Sequence, residues 1–438
     1  MASCGRCRAF VLIVRAICGQ PWSRLAVAQS VVCHTRTIAT STRTYSREPI
    51  SSVQWKTKST SGRDERISPS SGLTQRNLSA VAASLKGQYR PHCKYDYLDL
   101  GDVDVNTAKA KGCTSPRWFL TNPELARLVA DHISRDIEDE KSVILECDPG
   151  PGVLTKSLLN NGAQRVVALE SAQTFLPDLH ALENQLDGQL KVVNCNFKTD
   201  GLGRKSKEME KLFTDLGISE MPWSADFPVK VVGILNTHYK EQNFALFKLV
   251  HSILERRSIF RYGRAELLVF ISEKDYMRMM CKPGKAKQYQ SFGVLWQIAC
   301  DIELLHKEPW SSFVATKTPG QRIAKKPEIP NDHMCLVRMT PRKDLFSSIF
   351  TPNNSSTLVM MVKQLMARRT IRLLEKLDLW CPGKGSTLMG QVGLFEDVLT
   401  GQVYPHEYKQ LFELMELAQE SNKHWLYEEI LESCRETN

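Results

Sequence analysis

An α/β fold with a mainly parallel central sheet is what this 438-residue sequence predicts, and three observations carry the prediction. First, short β-branched runs (SVILEC, RVVALE, LKVVNCNF, KVVGIL and ELLVFIS) recur between residues 142 and 272. They are near-continuous in apolar character, as strands covered on both faces must be. Second, helix-patterned stretches, LTKSLLNNG and FLPDLHALENQL, separate the first three runs, which is the alternation of a parallel sheet. Third, the Gly- and Pro-rich turn E-C-D-P-G-P-G, residues 146–152, joins the first run to the first helix. By themselves these patterns also suit a generic α/β domain that holds no ligand.

The flanks differ in composition. The first 47 residues hold seven arginines (Arg6, Arg8, Arg15, Arg24, Arg36, Arg43, Arg47), many Ser, Thr and Ala, and no acid before Glu48. This is the chemistry of a mitochondrial transit peptide, residues 1–47, with a secretory signal as the alternative. The longest apolar run, residues 9–18, is interrupted by Arg15, so no membrane span is expected. Seven of the ten net positive charges lie in that segment, leaving +3 for the rest of the chain. From Phe395 onward ten acids face three bases, a charge of −7, so residues 48–394 carry +10: a basic body with an acidic appendage. Thirteen cysteines show only one close pair, Cys4 and Cys7, too little for a zinc or redox motif; no metal site is expected, and in a mitochondrial matrix the thiols would be reduced.

Residues 48–114 are polar and read as a flexible linker with a short element near YDYLDL. Order is expected from Pro116. Leu125, Leu128, Val129 and Ile133 are spaced as one helix face, with Asn122 as cap before Pro123. Residues 358–377 read as one amphipathic helix, with Leu358, Met361, Val362, Leu365, Leu373 and Leu377 inward and Arg368, Arg372 and Lys376 outward beside Arg369. The expected division is a sheet domain over 115–345, a small helical domain over 346–395 and an acidic tail over 396–438. No internal repeat is present.

The turn at 146–152 carries the chemistry. Gly150 and Gly152 allow a ligand to approach the backbone, and Glu170, ending the next run, can accept two ribose hydroxyls. A dinucleotide is disfavoured, because the third glycine of that motif falls on Thr155 and two prolines flank the turn. A smaller cofactor such as S-adenosylmethionine is left.

E-C-D-P-G-P-G-V-L-T resembles the first motif, E-x-G-P-G-x-G-x-L-T, of the ribosomal RNA adenine N6-dimethyltransferases. The resemblance continues in order through residues 277–305, EPWSSF (308–313), HMCLVRMTP (333–341) and LMARRTIRLL (365–374), and covers about 115–380. It implies a class I S-adenosylmethionine-dependent methyltransferase sheet, Rossmann-like, with a small C-terminal helical domain. On that basis Leu120, Glu146, Gly150, Gly152, Glu170 and Asn196 match cofactor-binding positions, Asn196 in place of an aspartate whose oxygen holds the adenine. Arg117 and Trp118 replace the family's Gln-Asn before Leu120. Asp148 replaces a glycine where it would repel the cofactor's carboxylate. The family's catalytic N-L-P-Y/F falls on Ile234, Leu235, Asn236 and Thr237, which can neither hold an amino group nor stack on a flipped base as that motif does. His238 and Tyr239 lie just beyond.

With its presequence and acidic tail the chain is similar to the mitochondrial transcription factor B branch of this family. That similarity implies a factor of the mitochondrial matrix and nucleoid. It would act with the single-subunit mitochondrial RNA polymerase on promoter DNA, and with the mitochondrial HMG-box transcription factor. Arg368, Arg369 and Arg372 would then be nucleic-acid contacts. The alternatives are a working dimethyltransferase acting on small-subunit ribosomal RNA, and a ribosome-associated binding protein.

Overall fold

The computed structural model describes residues 97–134, 142–202, 207–225, 227, 229–235, 242–284, 288–316 and 329–418. Of the expectations above, the transit peptide, the linker up to residue 96, Asn236, Thr237, His238, Tyr239 and the end of the acidic tail lie outside these residues.

In chain order the strands are β1 (Trp118–Leu120), β2 (Val143–Cys147), β3 (Val166–Glu170), β4 (Leu190–Asn194), β5 (Val229–Ile234), β6 (Ala265–Ser272), β7 (Cys300–Pro309), β8 (Phe313–Ala315) and β9 (His333–Pro341). The helices are α1 (Val103–Lys111), α2 (Pro123–Ser134), α3 (Val153–Asn160), α4 (Leu176–Asn184), α5 (Lys207–Asp215), α6 (Gln242–Leu254), α7 (Glu273–Met279), α8 (Ser291–Ala299), α9 (Ser355–Ala367), α10 (Leu373–Trp380), α11 (Gly385–Val392) and α12 (Pro405–Ala418).

Seven strands form one sheet in the order β4-β3-β2-β5-β6-β9-β7. β4 through β6 run parallel, whereas β9 pairs antiparallel with both β6 and β7. Every residue of β2, β3, β5 and β6 is buried, which is why their sequences lack a polar alternate. The order reverses between β2 and β5, so the carboxyl ends of β2, β3 and β5 open at one crevice, where open α/β sheets hold ligands. β1 and β8 form a small antiparallel pair, in which Leu120 opposes Phe313.

The structure corrects three expectations. The linker does not extend to residue 114. Leu98 and Asn160 exchange hydrogen bonds of 2.8 Å, backbone amide to side-chain oxygen and side-chain amide to backbone carbonyl. Asn106 donates to the Leu100 carbonyl at 3.0 Å, and Leu100, Ala110 and Cys113 join the core. Nor does the helical region end at 395, because α12 buries Tyr408, Leu411, Phe412 and Met415. Their helical spacing sits beneath the acids that dominate the composition of the tail.

The third correction concerns the basic helix. Residues 358–377 form two helices, α9 and α10, broken at Arg368–Arg372. The segment around Leu399–Gly401 takes up the backbone groups that a continuous helix would have satisfied. Leu373 N–H donates to the Val398 carbonyl, Thr400 N–H to Ile371, Gly401 N–H to Arg369, and the Thr400 hydroxyl to Arg368. The arginines therefore leave the break in different directions. Arg368 and Arg372 are exposed, while Arg369 donates through Nη1 to the Tyr289 carbonyl at 3.0 Å.

Candidate functional site

The turn after β2 is left-handed at three positions, Asp148 (φ 54°), Gly150 (φ 61°) and Gly152 (φ 78°). Gly150 is required sterically as well, since a Cβ there would lie 2.6 Å from the Phe119 ring. The turn delivers its backbone to Glu170, which is fully buried at the end of β3. Glu170 Oε2 accepts from Gly150 N–H at 3.0 Å and from Arg117 Nη2 at 2.7 Å, and Oε1 accepts from Ala172 N–H at 2.7 Å.

Arg117, only 5% exposed, enters from the segment before β1. Its guanidinium lies 4.7 Å from the Phe119 ring centroid and 5.2 Å from that of Phe175. It also stands 3.4 Å from Asp148, whose other oxygen is 2.9 Å from Lys198 Nζ. Two cations and two carboxylates thus balance in a buried cluster, the condition under which buried charge is tolerated. Burial alone would lower the Arg117 pKa, but the Glu170 hydrogen bond and charge, and then Asp148, hold it above its ordinary value.

Glu146 stands apart. It is 1% exposed, and neither carboxylate oxygen has a hydrogen-bond partner. Burial pushes its pKa up to about 8, and the charge of Glu170 adds to the rise. The hydroxyl and amide of Thr155 offset part of this, although Thr155 Oγ1 makes no hydrogen bond of normal geometry. At neutral pH Glu146 is a protonated acid facing a small cavity.

Leu120, Glu146, Asp148, Gly233, Ile234 and Phe270 line that cavity of about 20 Å³. Such a volume holds roughly one water molecule, against about 300–1,000 Å³ for pockets that take drug-sized ligands. Ile234 ends β5 in register with Phe270, and Leu235 N–H continues the ladder to the Phe270 carbonyl at 3.0 Å. Both side chains are buried. Phe313 is also buried and packs edge-on against Phe270, with 5.0 Å between centroids.

A family model described as ribosomal RNA adenine dimethylase matches residues 116–417. The chain belongs to the ribosomal RNA adenine dimethylase family. It is similar to the mitochondrial dimethyladenosine transferase 2 of Mus musculus, 37% identical over 341 residues, covering 75% of this chain and 85% of the relative. It is also similar to the Homo sapiens protein of that name, 35% identical over 324 residues, covering 72% and 81%. Among solved structures, a dimethyladenosine transferase from Plasmodium falciparum is 16% identical, with a TM-score of 0.45, covering 69% of this chain and 98% of the other.

Dimethylases of this family use S-adenosylmethionine, and the positions that match its binding residues do converge here. Leu120 and Glu146 line the small cavity, Gly150 N–H donates to Glu170, and Lys198, whose backbone N–H donates to Asn196, pairs with Asp148. As arranged, they do not fit the cofactor. Three of the roughly four acceptor sites of Glu170, both on Oε2 among them, are taken by Arg117 and two backbone amides. Asn196 Oδ1, expected to hold the adenine, instead accepts from Lys198 N–H at 3.0 Å and Thr199 N–H at 3.3 Å, capping the π-helical turn Phe197–Gly201. Asp148 departs from expectation too, because Lys198 and Arg117 neutralise the charge that was to repel the cofactor.

Arg117 is the functional residue that sequence reasoning missed. The sequence registers only the loss of Gln-Asn at 117–118; the signal was that a cation had entered a position facing a ribose-type acid. A larger cavity, about 700 Å³, lies elsewhere. Gln297, Asp301, Arg342, Tyr404, His406 and Lys409 are among its lining residues, and none of them is a position matched to cofactor binding or catalysis. Among the described residues no cluster of His, Cys, Asp or Glu could hold a metal, and no helix is long and apolar enough to cross a membrane.

Proposed function

We propose that this chain is a mitochondrial nucleic-acid-binding member of the dimethylase family that assists transcription initiation and has given up base methylation. One observation carries the reading: the end of β5, where a dimethylase presents its asparagine, is closed by the buried apolar side chains of Ile234 and Leu235. The side chains of Ile234 and Leu235 offer no acceptor for an adenine amino group. The sequence keeps a net charge of +10 over residues 48–394, which suits binding to unpaired nucleic acid. Backbone charge and stacking suffice to trap melted strand without chemistry on the base.

The partners that follow are the mitochondrial RNA polymerase, promoter DNA and the mitochondrial HMG-box factor, in the matrix nucleoid. The mitochondrial location is supported by the names of the mouse and human relatives. Those same names favour a second reading, S-adenosylmethionine-dependent dimethylation of small-subunit ribosomal RNA. The two readings part in a paired test. With polymerase and a duplex carrying 2-aminopurine at the start site, adding this chain should raise fluorescence as the bases unstack. Methyl transfer to a small-subunit ribosomal RNA hairpin should stay at background. Robust transfer without any fluorescence change reverses the assignment.

The break between α9 and α10 refines the nucleic-acid contacts. Arg368 and Arg372 face solvent, whereas Arg369 anchors the Tyr289 carbonyl. Replacing both Arg368 and Arg372 with alanine should weaken promoter binding and reduce the slope of log affinity against log salt by about 2, roughly one per lost phosphate contact. R369A should instead lower stability by about 1 kcal/mol through the lost hydrogen bond. Salt titrations by fluorescence anisotropy check the first result. An unchanged slope would withdraw Arg368 and Arg372 as phosphate contacts.

A further inference from the structure

For a carboxylate to hold two ribose hydroxyls it must keep lone pairs directed at them. Glu170 has three of its roughly four acceptor sites already taken. Oε2 is shared by the Arg117 guanidinium and the Gly150 amide, and Oε1 is engaged by the Ala172 amide. Arg117 is not a surface side chain resting on the site, since it is 5% exposed and its guanidinium lies over the Phe119 and Phe175 rings. The same guanidinium reaches Asp148 on the turn itself, and Lys198 closes the cluster from the far side. The turn that would cradle a ligand is instead tied to the end of β3 through one internal cation.

We infer that Arg117 is the built-in occupant of the ribose position: the chain's own guanidinium stands where an S-adenosyl ligand would engage Glu170 and is the residue that excludes it. A ligand could bind only by separating Arg117 from Glu170, which leaves a buried cation without its main counter-ion. The inference rests on the cluster geometry and on family membership. It does not depend on the transcription reading.

The test is equilibrium dialysis of the full chain against labelled S-adenosylmethionine, repeated with S-adenosylhomocysteine. Wild type is expected to show no saturation up to about 1 mM ligand, and Arg117→Gln to bind at least about tenfold more tightly. Arg127→Gln, at an exposed position on α2, serves as the control and should behave as wild type. Thermal unfolding establishes that each variant is folded. If Arg117→Gln does not fold, Arg117→Lys replaces it, since an ammonium keeps a charge beside Glu170 but cannot bridge to Asp148 with the same planar fork. A several-fold gain in the lysine variant supports the inference. Micromolar binding by wild type, or no gain in a folded variant at position 117, overturns it. Neither result bears on promoter opening, so the two proposals can fail separately.

Discussion

Replacing Glu170 with leucine is expected to lower the unfolding free energy by about 3–5 kcal/mol, the range seen when one partner of a buried ion pair is removed. Arg117 would remain 5% exposed, with Asp148, 3.4 Å away and shared with Lys198, still beside it. The amides of Gly150 and Ala172 would also lose their acceptor, and with it the link between the turn and β3. In an enzyme whose acid at this position serves only the cofactor, the same substitution would abolish ligand binding and leave the apo-protein nearly as stable as before. Urea unfolding of the two proteins decides between these roles. The double variant R117L/E170L should recover much of the loss, because it removes both charges together. A loss below about 1 kcal/mol for Glu170→Leu would mean that the cluster contributes little to the fold.

Glu146→Gln should act in the opposite direction, and its effect should depend on pH. The folded chain holds the Glu146 proton up to about pH 8, whereas the ordinary value, near 4.5, applies once the chain unfolds. Between those values the folded state binds more protons than the unfolded state. Stability contributed by this group is therefore complete below about pH 4.5 and is lost as pH rises through about 8. The fall amounts to about 1.4 kcal/mol per pH unit across the window, so the total reaches a few kcal/mol. Glutamine has nearly the same shape and nothing to titrate. The difference in stability between variant and wild type should grow in favour of the variant from pH 5 to about pH 8. Denaturation midpoints measured over that range provide the check. Parallel pH profiles would show that Glu146 is already ionised in the folded chain.

Much of the fold was legible because it rests on local, strongly patterned sequence. VILEC and AELLVFIS could only be strands buried on both faces, and the G-P-G turn with Glu170 one strand later located the crevice. What was illegible depends on partners distant in sequence. Arg368 to Arg372 read as helix, because nothing in their neighbourhood shows that residues 398–401 will claim their carbonyls and amides. Residues 97–114 look like linker by composition, yet Asn160, about sixty positions on, supplies the hydrogen bonds that fix them. The acids after Phe395 concealed an amphipathic helix, since net charge carries no phase information.

At the site the same division holds. Gly150, Gly152 and Glu170 were found by spacing, Glu146 by the family resemblance, and Ile234 by its departure from a motif. Arg117 and Lys198 were not found, because a salt bridge across 53 residues and another across 50 leave no periodic trace. Reading Asp148 alone suggested an uncompensated negative charge, whereas its two cations reverse that conclusion.

The central claim is that a dimethylase fold here serves strand opening, and promoter-directed transcription tests it most directly. Purified mitochondrial RNA polymerase would be assayed with and without this chain, on a duplex promoter and on the same promoter pre-melted at the start site. The account predicts that transcription from the duplex requires the chain and that pre-melting relaxes the requirement. Equal transcription with and without the chain on both templates would contradict it, and would return ribosomal RNA methylation to first place.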